Sequence, residues 1–543
     1  MTFLAFNIKL KYAKHEIQNN FFCRLLFIVI VAVLTSCVGN GNNEKNEKKR
    51  PHKPNEEQEE IILGEKMNDP YDMKFMSKAF AKLNKKKDDF PFTELSPTGI
   101  YVRLLAESTK ELDEIESDTT MLWFDFPLDY ELLEGGITYH DPSLPDSVVW
   151  KYAVVPVDYK FPEGIKKEIL YYVFIPDDHP EYKKYEKSFD KLEELSLKLC
   201  KKEKKAVSNG NVKGSKGKKW APSATIRAWD DVVQGLIPLE GVKVTARHYT
   251  KCRSGITNAQ GKYTFAAEFK KGHRVKYGIT WERAYWDIRD GLWLQAYYNG
   301  PQQESAWNLN IYGQKSLMYA TIHRAALKAF YGYFGGIQRP YATHSLKIAY
   351  INSSGSSYGD NICFFNLFGI LQNIRIWGYN NGQRRTTDLI FGTTIHEMAH
   401  QSQLKHNPAT FYLSNLFIQE SWARCVQWYI TNHHYNVDLG IAGYNHQDGF
   451  QKWTRSDTYD GGKPYPYTPV FIDLIDNINQ YEQNPNRCKD NISGYTLIEI
   501  QNNLLDESFN LKLLRNDLKR NLLHGTTAAD VDELLDNYLK LGF

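Results

Sequence analysis

The spacing of apolar positions changes character along this chain, and each change marks an expected domain boundary. From 61 to 200, short apolar runs alternate with charged stretches. Pro97–Leu105, Val154–Val157 and Ile169–Ile175 predict strands and Glu181–Lys201 predicts a helix, giving an α/β N-terminal region. Met121–Tyr130 is aromatic and interrupted by Pro127, which predicts a packed loop; the acidic run Glu111–Asp118 reads as a solvated face. Residues 201–220, rich in Lys, Asn, Gly and Ser, read as a linker. From 221 to 312 the period falls to two. Val242 and Val244 share one strand face, Tyr263 and Phe265 share another, and Gly261 permits the turn between strands.

From 313 to 543 helical spacing dominates. Gln314–Phe334 carries Leu317, Ala320, Ala325, Leu327 and Phe330 at helical intervals. Ser345–Ile351 and Asn373–Tyr379 predict strands just ahead of a helix in which Thr387 is the expected cap and Asp388 lies in the first turn. Pro408 interrupts it, and a second helix follows through Trp422, Ala423, Val426, Tyr429 and Ile430. Thr468 reads as an N-cap before Pro469 at the first helical position. Ser493–Leu505, Asn510–Leu523 and Thr526–Leu541 then predict a helical C-terminal half.

Composition changes this picture in two ways. A hydrophobic content of 42% supports sizeable cores, while a net charge of +3 and the lack of any nucleic-acid-binding signature argue against a nucleic-acid partner. At the N-terminus, Arg24 precedes the apolar run Leu25–Leu34, too short to span a bilayer, and Thr35-Ser36-Cys37 follows. Leu34–Cys37 resembles a bacterial lipobox. That resemblance implies a signal peptide over 1–37, cleaved before Cys37, with Cys37 lipidated and the chain held at the outer membrane or cell surface; an uncleaved anchor is the alternative, and the periplasmic face stays open. Residues 38–60 are polar and charged, a tether with too little apolar surface to fold. The sparse Cys200, Cys252, Cys363, Cys425 and Cys488 suggest neither a disulfide scaffold nor a thiolate metal site.

The chemistry concentrates in His396-Glu397-Met-Ala-His400. Histidines four apart on a helix project from one face, a spacing at which both imidazoles can hold one Zn²⁺, and Glu397 is placed to work on a water as general base. A catalytic zinc needs a third protein ligand. His406 would complete a metzincin-like spacing, but Gln403 stands where that family turns on a small residue, and no Met follows Met398. Glu420, opening the second helix, makes the set resemble the gluzincins. That resemblance implies His396, His400 and Glu420 on zinc, Asn373–Asn380 as a substrate-pairing edge strand, and a Tyr or His near the oxyanion, for which Tyr465, Tyr467 and His446 are the candidates. Arg424, one turn past Glu420, is placed to orient that carboxylate. The strand pattern of 221–312 resembles the carboxypeptidase regulatory-like, transthyretin-like β-sandwich, and residues 61–200 resemble the leading part of some Bacteroidota lipoproteins.

The expected fold is therefore multidomain: an α/β N-terminal region, a β-sandwich middle domain and an α+β gluzincin-like peptidase domain with a helical C-terminal half. The expected function is a lipid-anchored extracytoplasmic zinc metallopeptidase acting on a protein or peptide substrate. An alternative stays open, a surface adhesion or glycan-binding lipoprotein with a vestigial peptidase-like domain, for which the aromatic residues Trp281, Tyr285, Trp286, Trp293, Tyr297 and Tyr298 could form a sugar-stacking surface.

Overall fold

The computed structural model describes residues 59–540, apart from 85–89, 91, 205–218, 292, 341, 343–344, 355–372, 447–457, 460–462, 465–466 and 486. The leader, Cys37, most of the tether and Cys363 lie outside the described residues. No described helix is long and apolar enough to cross a membrane. Among described residues the fold is multidomain and mixed α/β, many-stranded through its middle and helical toward its C-terminus.

The N-terminal region comprises helix α1 (Met73–Leu83), strands β1 (Gly99–Ala106), β2 (Val149–Pro156) and β3 (Lys166–Val173), and helix α2 (Glu186–Lys204). The strands form an antiparallel sheet in the order β2-β1-β3. Central β1 is buried at every position but Arg103, whose guanidinium reaches out to Glu168. The loop around Pro127 is packed as expected: Phe124 exchanges backbone hydrogen bonds with Tyr152, and Phe126 and Leu128 are buried. The acidic run is not wholly solvated. Glu116 turns inward, where Lys151, Arg289 and Lys347 surround it, because three cations from separate strands outweigh the cost of burying one carboxylate.

The middle region contains β4 (Ser223–Asp230), β5 (Lys243–His248), β6 (Lys251–Ile256), β7 (Lys262–Thr264), β8 (Val275–Thr280), β9 (Trp286–Asp290), β10 (Tyr297–Gln303) and β11 (Trp307–Ile311). One antiparallel sheet runs β6-β5-β8-β10 and another β7-β4-β11, with β11 parallel to β4. Their period-two faces bury Val244, Ala246, Ile226, Ala228, Leu309 and Ile311 in one core. Gly261 sits at φ +69°, and a Cβ there would lie 2.3 Å from the Ile226 carbonyl oxygen, so both its turn and its close approach demand glycine.

Strand β9 does not belong to these sheets, and the expected boundary at 312 does not separate the two units cleanly. It pairs in parallel with β12 (Leu346–Ser354), which pairs in parallel with β13 (Asn373–Asn380). The chain thus leaves the first sheet after β8, contributes β9 to the third sheet, and returns as β10. Alternating apolar residues look the same in either sheet, so periodicity alone does not reveal this crossing. It also explains the aromatic cluster: Trp281 and Trp286 are buried against His323 and Phe330 of α3 (Gln314–Phe330), which makes them core rather than a sugar-stacking face.

Beyond β13 come β14 (Gln383–Arg384), α4 (Thr387–His406), α5 (Pro408–Leu413), α6 (Leu416–His433), α7 (Val470–Asp473), α8 (Leu497–Asn503), α9 (Leu511–Arg520) and α10 (Ala528–Lys540). Only Tyr379 and Asn380 of β13 pair with β14, so among described residues the rest of that edge carries no further strand. Helix α7 starts one residue later than expected. Pro469 is its cap residue, and Thr468 accepts a hydrogen bond from the Val470 amide.

Candidate metal centre

Helix α4 is buried along most of its length between α3 and α6, which explains its lack of an amphipathic stripe. Its N-terminus is not capped by Thr387, the expected residue. Thr386 occupies the cap position, but its hydroxyl donates to the Asp388 side chain and accepts no helix amide; the Asp231 carboxylate, just past the end of β4, accepts the Thr387 amide at 3.0 Å. The Thr387 hydroxyl instead accepts the Asp231 amide at 2.8 Å.

Helix α6 crosses this partner so that Glu420 meets both histidines. His396 Nε2 lies 3.2 Å from one Glu420 oxygen, His400 Nε2 lies 3.4 Å from the other, and the two Nε2 atoms are 3.2 Å apart. All three residues are buried, and the three donor atoms could hold a metal ion. Donors placed tetrahedrally at about 2.0–2.1 Å from one ion lie roughly 3.3 Å from each other. The donor set has the chemistry of a metal ligand triad, with each ring against a different Glu420 oxygen and one ligand atom from each residue within 4.8 Å of the others. His406 is not part of it. It ends α4 with Nε2 3.1 Å from Asp506.

Burial pushes the His396 imidazole down to about 4, against the pull of Glu420. Burial also opposes charge on His400, but Glu420 outweighs it and raises that ring. Glu420 would be driven up by burial, yet the two imidazoles hold it well below the ordinary carboxylate range. Metal binding requires both imidazoles neutral and the carboxylate ionised; His396 and Glu420 stand in those states, and His400 would release its proton to an ion. Glu397 follows His396 and is buried on the same helix.

The remaining candidates fall on either side of this centre. Thr468 donates its amide to Ser421, beside Glu420, and the neighbouring Tyr467 lies with its ring 4.5 Å from the Arg424 guanidinium carbon. Tyr465 lies outside the described residues. Arg424 donates to Gln427 Oε1 at 3.1 Å, and Gln427 Nε2 contacts His446 Nε2 at 3.1 Å. His446 Nδ1 is 3.0 Å from the Tyr444 hydroxyl, which donates to Asp388 at 2.9 Å. One tautomer satisfies the whole chain, with the ring proton on Nδ1 and Nε2 accepting from Gln427. Burial, with Arg424 adding to it, pushes His446 down to about 3, so the ring is neutral near pH 7.

Gln427, Tyr444 and Arg385 escaped the sequence reading. Gln427 had a usable signal, since it continues the helical face of Glu420 and Arg424. Gly392 had one too: it is one turn before His396, and a Cβ there would lie 2.5 Å from His446 Nε2.

No family model matches the chain, and no curated protein does. Among solved structures, part of the chain is similar to Klebsiella pneumoniae 5-hydroxyisourate hydrolase, at 19% identity over 16% of this chain and 81% of that one. The TM-score is 0.12, and the likeness bears on neither the architecture nor the chemistry of the centre.

Proposed function

We propose that this chain is a lipid-anchored, extracytoplasmic zinc metallopeptidase of gluzincin type that hydrolyses peptide bonds. One observation carries the reading: two buried imidazoles and a buried carboxylate converge at mutual distances of 3.2–3.4 Å, from HExxH on one helix and a glutamate on the next. His396, His400 and Glu420 would hold the metal. Bound there, zinc supplies the Lewis acidity that activates water and polarises the carbonyl under attack.

The chain's own groups account for the rest. Glu397 takes the proton from the attacking water and returns it to the leaving amine. Tyr467 is the described candidate for donating to the oxyanion; His446 has both ring nitrogens engaged and supports Arg424 instead. An extended substrate pairs with the outer edge of β13. The lipid anchor rests on Cys37 and places the reaction at the outer membrane or cell surface.

The test is zinc per chain in protein beginning near residue 60, with three variants. One zinc per chain is expected, and no zinc after reconstitution would overturn the reading. Glu420→Ala should lose the metal while His406→Ala keeps it. Glu397→Gln should keep it and lower turnover by about two orders of magnitude or more.

A further inference from the structure

Arg385 lies between β14 and α4, where its amide donates to the Gly378 carbonyl at 2.8 Å and fixes it beside the end of the β13 edge. Its Nε is cut off from solvent and meets no acceptor, and among described residues no carboxylate pairs with it. The nearby Asp231 is already taken by Arg384 and the Thr387 amide. A half-buried guanidinium with an enclosed, unsatisfied Nε and no carboxylate beside it among the described residues favours an anionic ligand there.

A second guanidinium lies close by. Glu420 faces His396 and His400 while Gln427 approaches Gly392, so α6 runs back along α4 toward its N-terminus. Arg424 therefore lies on α6 between the residue that meets the two histidines and the one that approaches Gly392. Burial, with the Arg424 charge nearby, pushes Arg385 down to about 10. Arg424 is held rigidly by Gln427 and the face of Tyr467, and Gln427 by the His446–Tyr444–Asp388 chain.

We infer that Arg385 and Arg424 form a carboxylate-binding subsite beside the metal centre, and that the peptide cleaved there presents a carboxylate near the scissile bond. The planar fork of each guanidinium suits a carboxylate's two oxygens. This inference rests on the peptidase reading above. The carboxylate is either the C-terminus of the substrate or an acidic side chain.

Calorimetry on the metal-stripped chain separates these without turnover and without a metal competing for the carboxylate. The probes are N-acetyl-glycyl-phenylalanine, its C-terminal amide, and N-acetyl-glycyl-glutamic acid α-amide. At least one acid should bind about tenfold or more tighter than the amide. Tighter binding of the first acid assigns a C-terminal carboxylate, and tighter binding of the glutamyl peptide assigns an acidic side chain. Arg385→Gln should erase the preference, and Arg385→Lys, which keeps charge but loses the fork, should retain part of it. Equal binding of acids and amide, no measurable binding of either acid, or a preference surviving in a folded Arg385→Gln protein would overturn the inference. A zinc-loaded, active chain without acid preference would sink the subsite alone. An acid preference in a chain that never holds zinc would sink the peptidase reading alone.

Discussion

At the scale of single residues, Gly392 shows how the centre's surroundings constrain the sequence. Alanine in a helix interior ordinarily gains about 1 kcal/mol over glycine. Here the added methyl would sit 2.5 Å from His446 Nε2 and 3.0 Å from Gln427 Nε2, and both side chains are buried and hydrogen-bonded. Overpacking of that kind costs about 1–3 kcal/mol, which exceeds the gain. Gly392→Ala should therefore lower Tm. A raised Tm would mean that His446 is free to move aside. The pairing of His396 and His400 was legible in the sequence because i, i+4 spacing on a helix puts two rings together whatever surrounds them. Arg385 was not, because nothing in a sequence marks an arginine that has no carboxylate beside it among the described residues.

At the scale of elements, the order helix, strand, strand, helix, helix from Gln314 to His433 was readable from periodicity, whereas the cap of α4 was not. Sequence logic looks for a cap within a residue or two of the helix start, but Asp231 reaches the Thr387 amide from 156 positions away. For the same reason the pairing of β9 with β12 was not readable: a strand's alternation shows that one face is buried, not which neighbour buries it. The remote cap carries a prediction. Asp231→Ala would leave the Thr387 N–H unsatisfied and strip Arg384 of its carboxylate, at a cost of about 1–3 kcal/mol. The loss should appear as a fall in Tm, with Asp231→Asn intermediate because its carbonyl can still accept. Unchanged melting in the alanine variant would show that α4 is held by packing alone.

At the scale of the whole molecule, the N-terminal region is joined to the third sheet through buried charge. Glu116 meets Lys151 at 2.6 Å, and also Arg289 of β9 and Lys347 of β12; Lys347 in turn lies 3.2 Å from Asp287. Burial alone would raise the Glu116 carboxyl, but Arg289, Lys151 and Lys347 together hold it well below its ordinary value of 4.5. A carboxylate depressed in this way contributes stability that is fully present above the unfolded-state value and is lost as pH falls through the folded-state value. Glu116→Gln leaves three buried cations with one partner fewer, which should cost about 3–5 kcal/mol near neutral pH. That deficit should shrink as both proteins are acidified below pH ~4, because the unfolded wild-type chain then binds a proton that the folded Glu116 holds off until the pH reaches its own lower value. Thermal or urea unfolding of both proteins from neutral pH down to pH ~3 measures the gap directly. A gap that stays constant with pH would mean that Glu116 acts through packing. A gap that narrows with acid would identify the cluster as the electrostatic joint between the N-terminal region and the sheet whose β13 packs against α4.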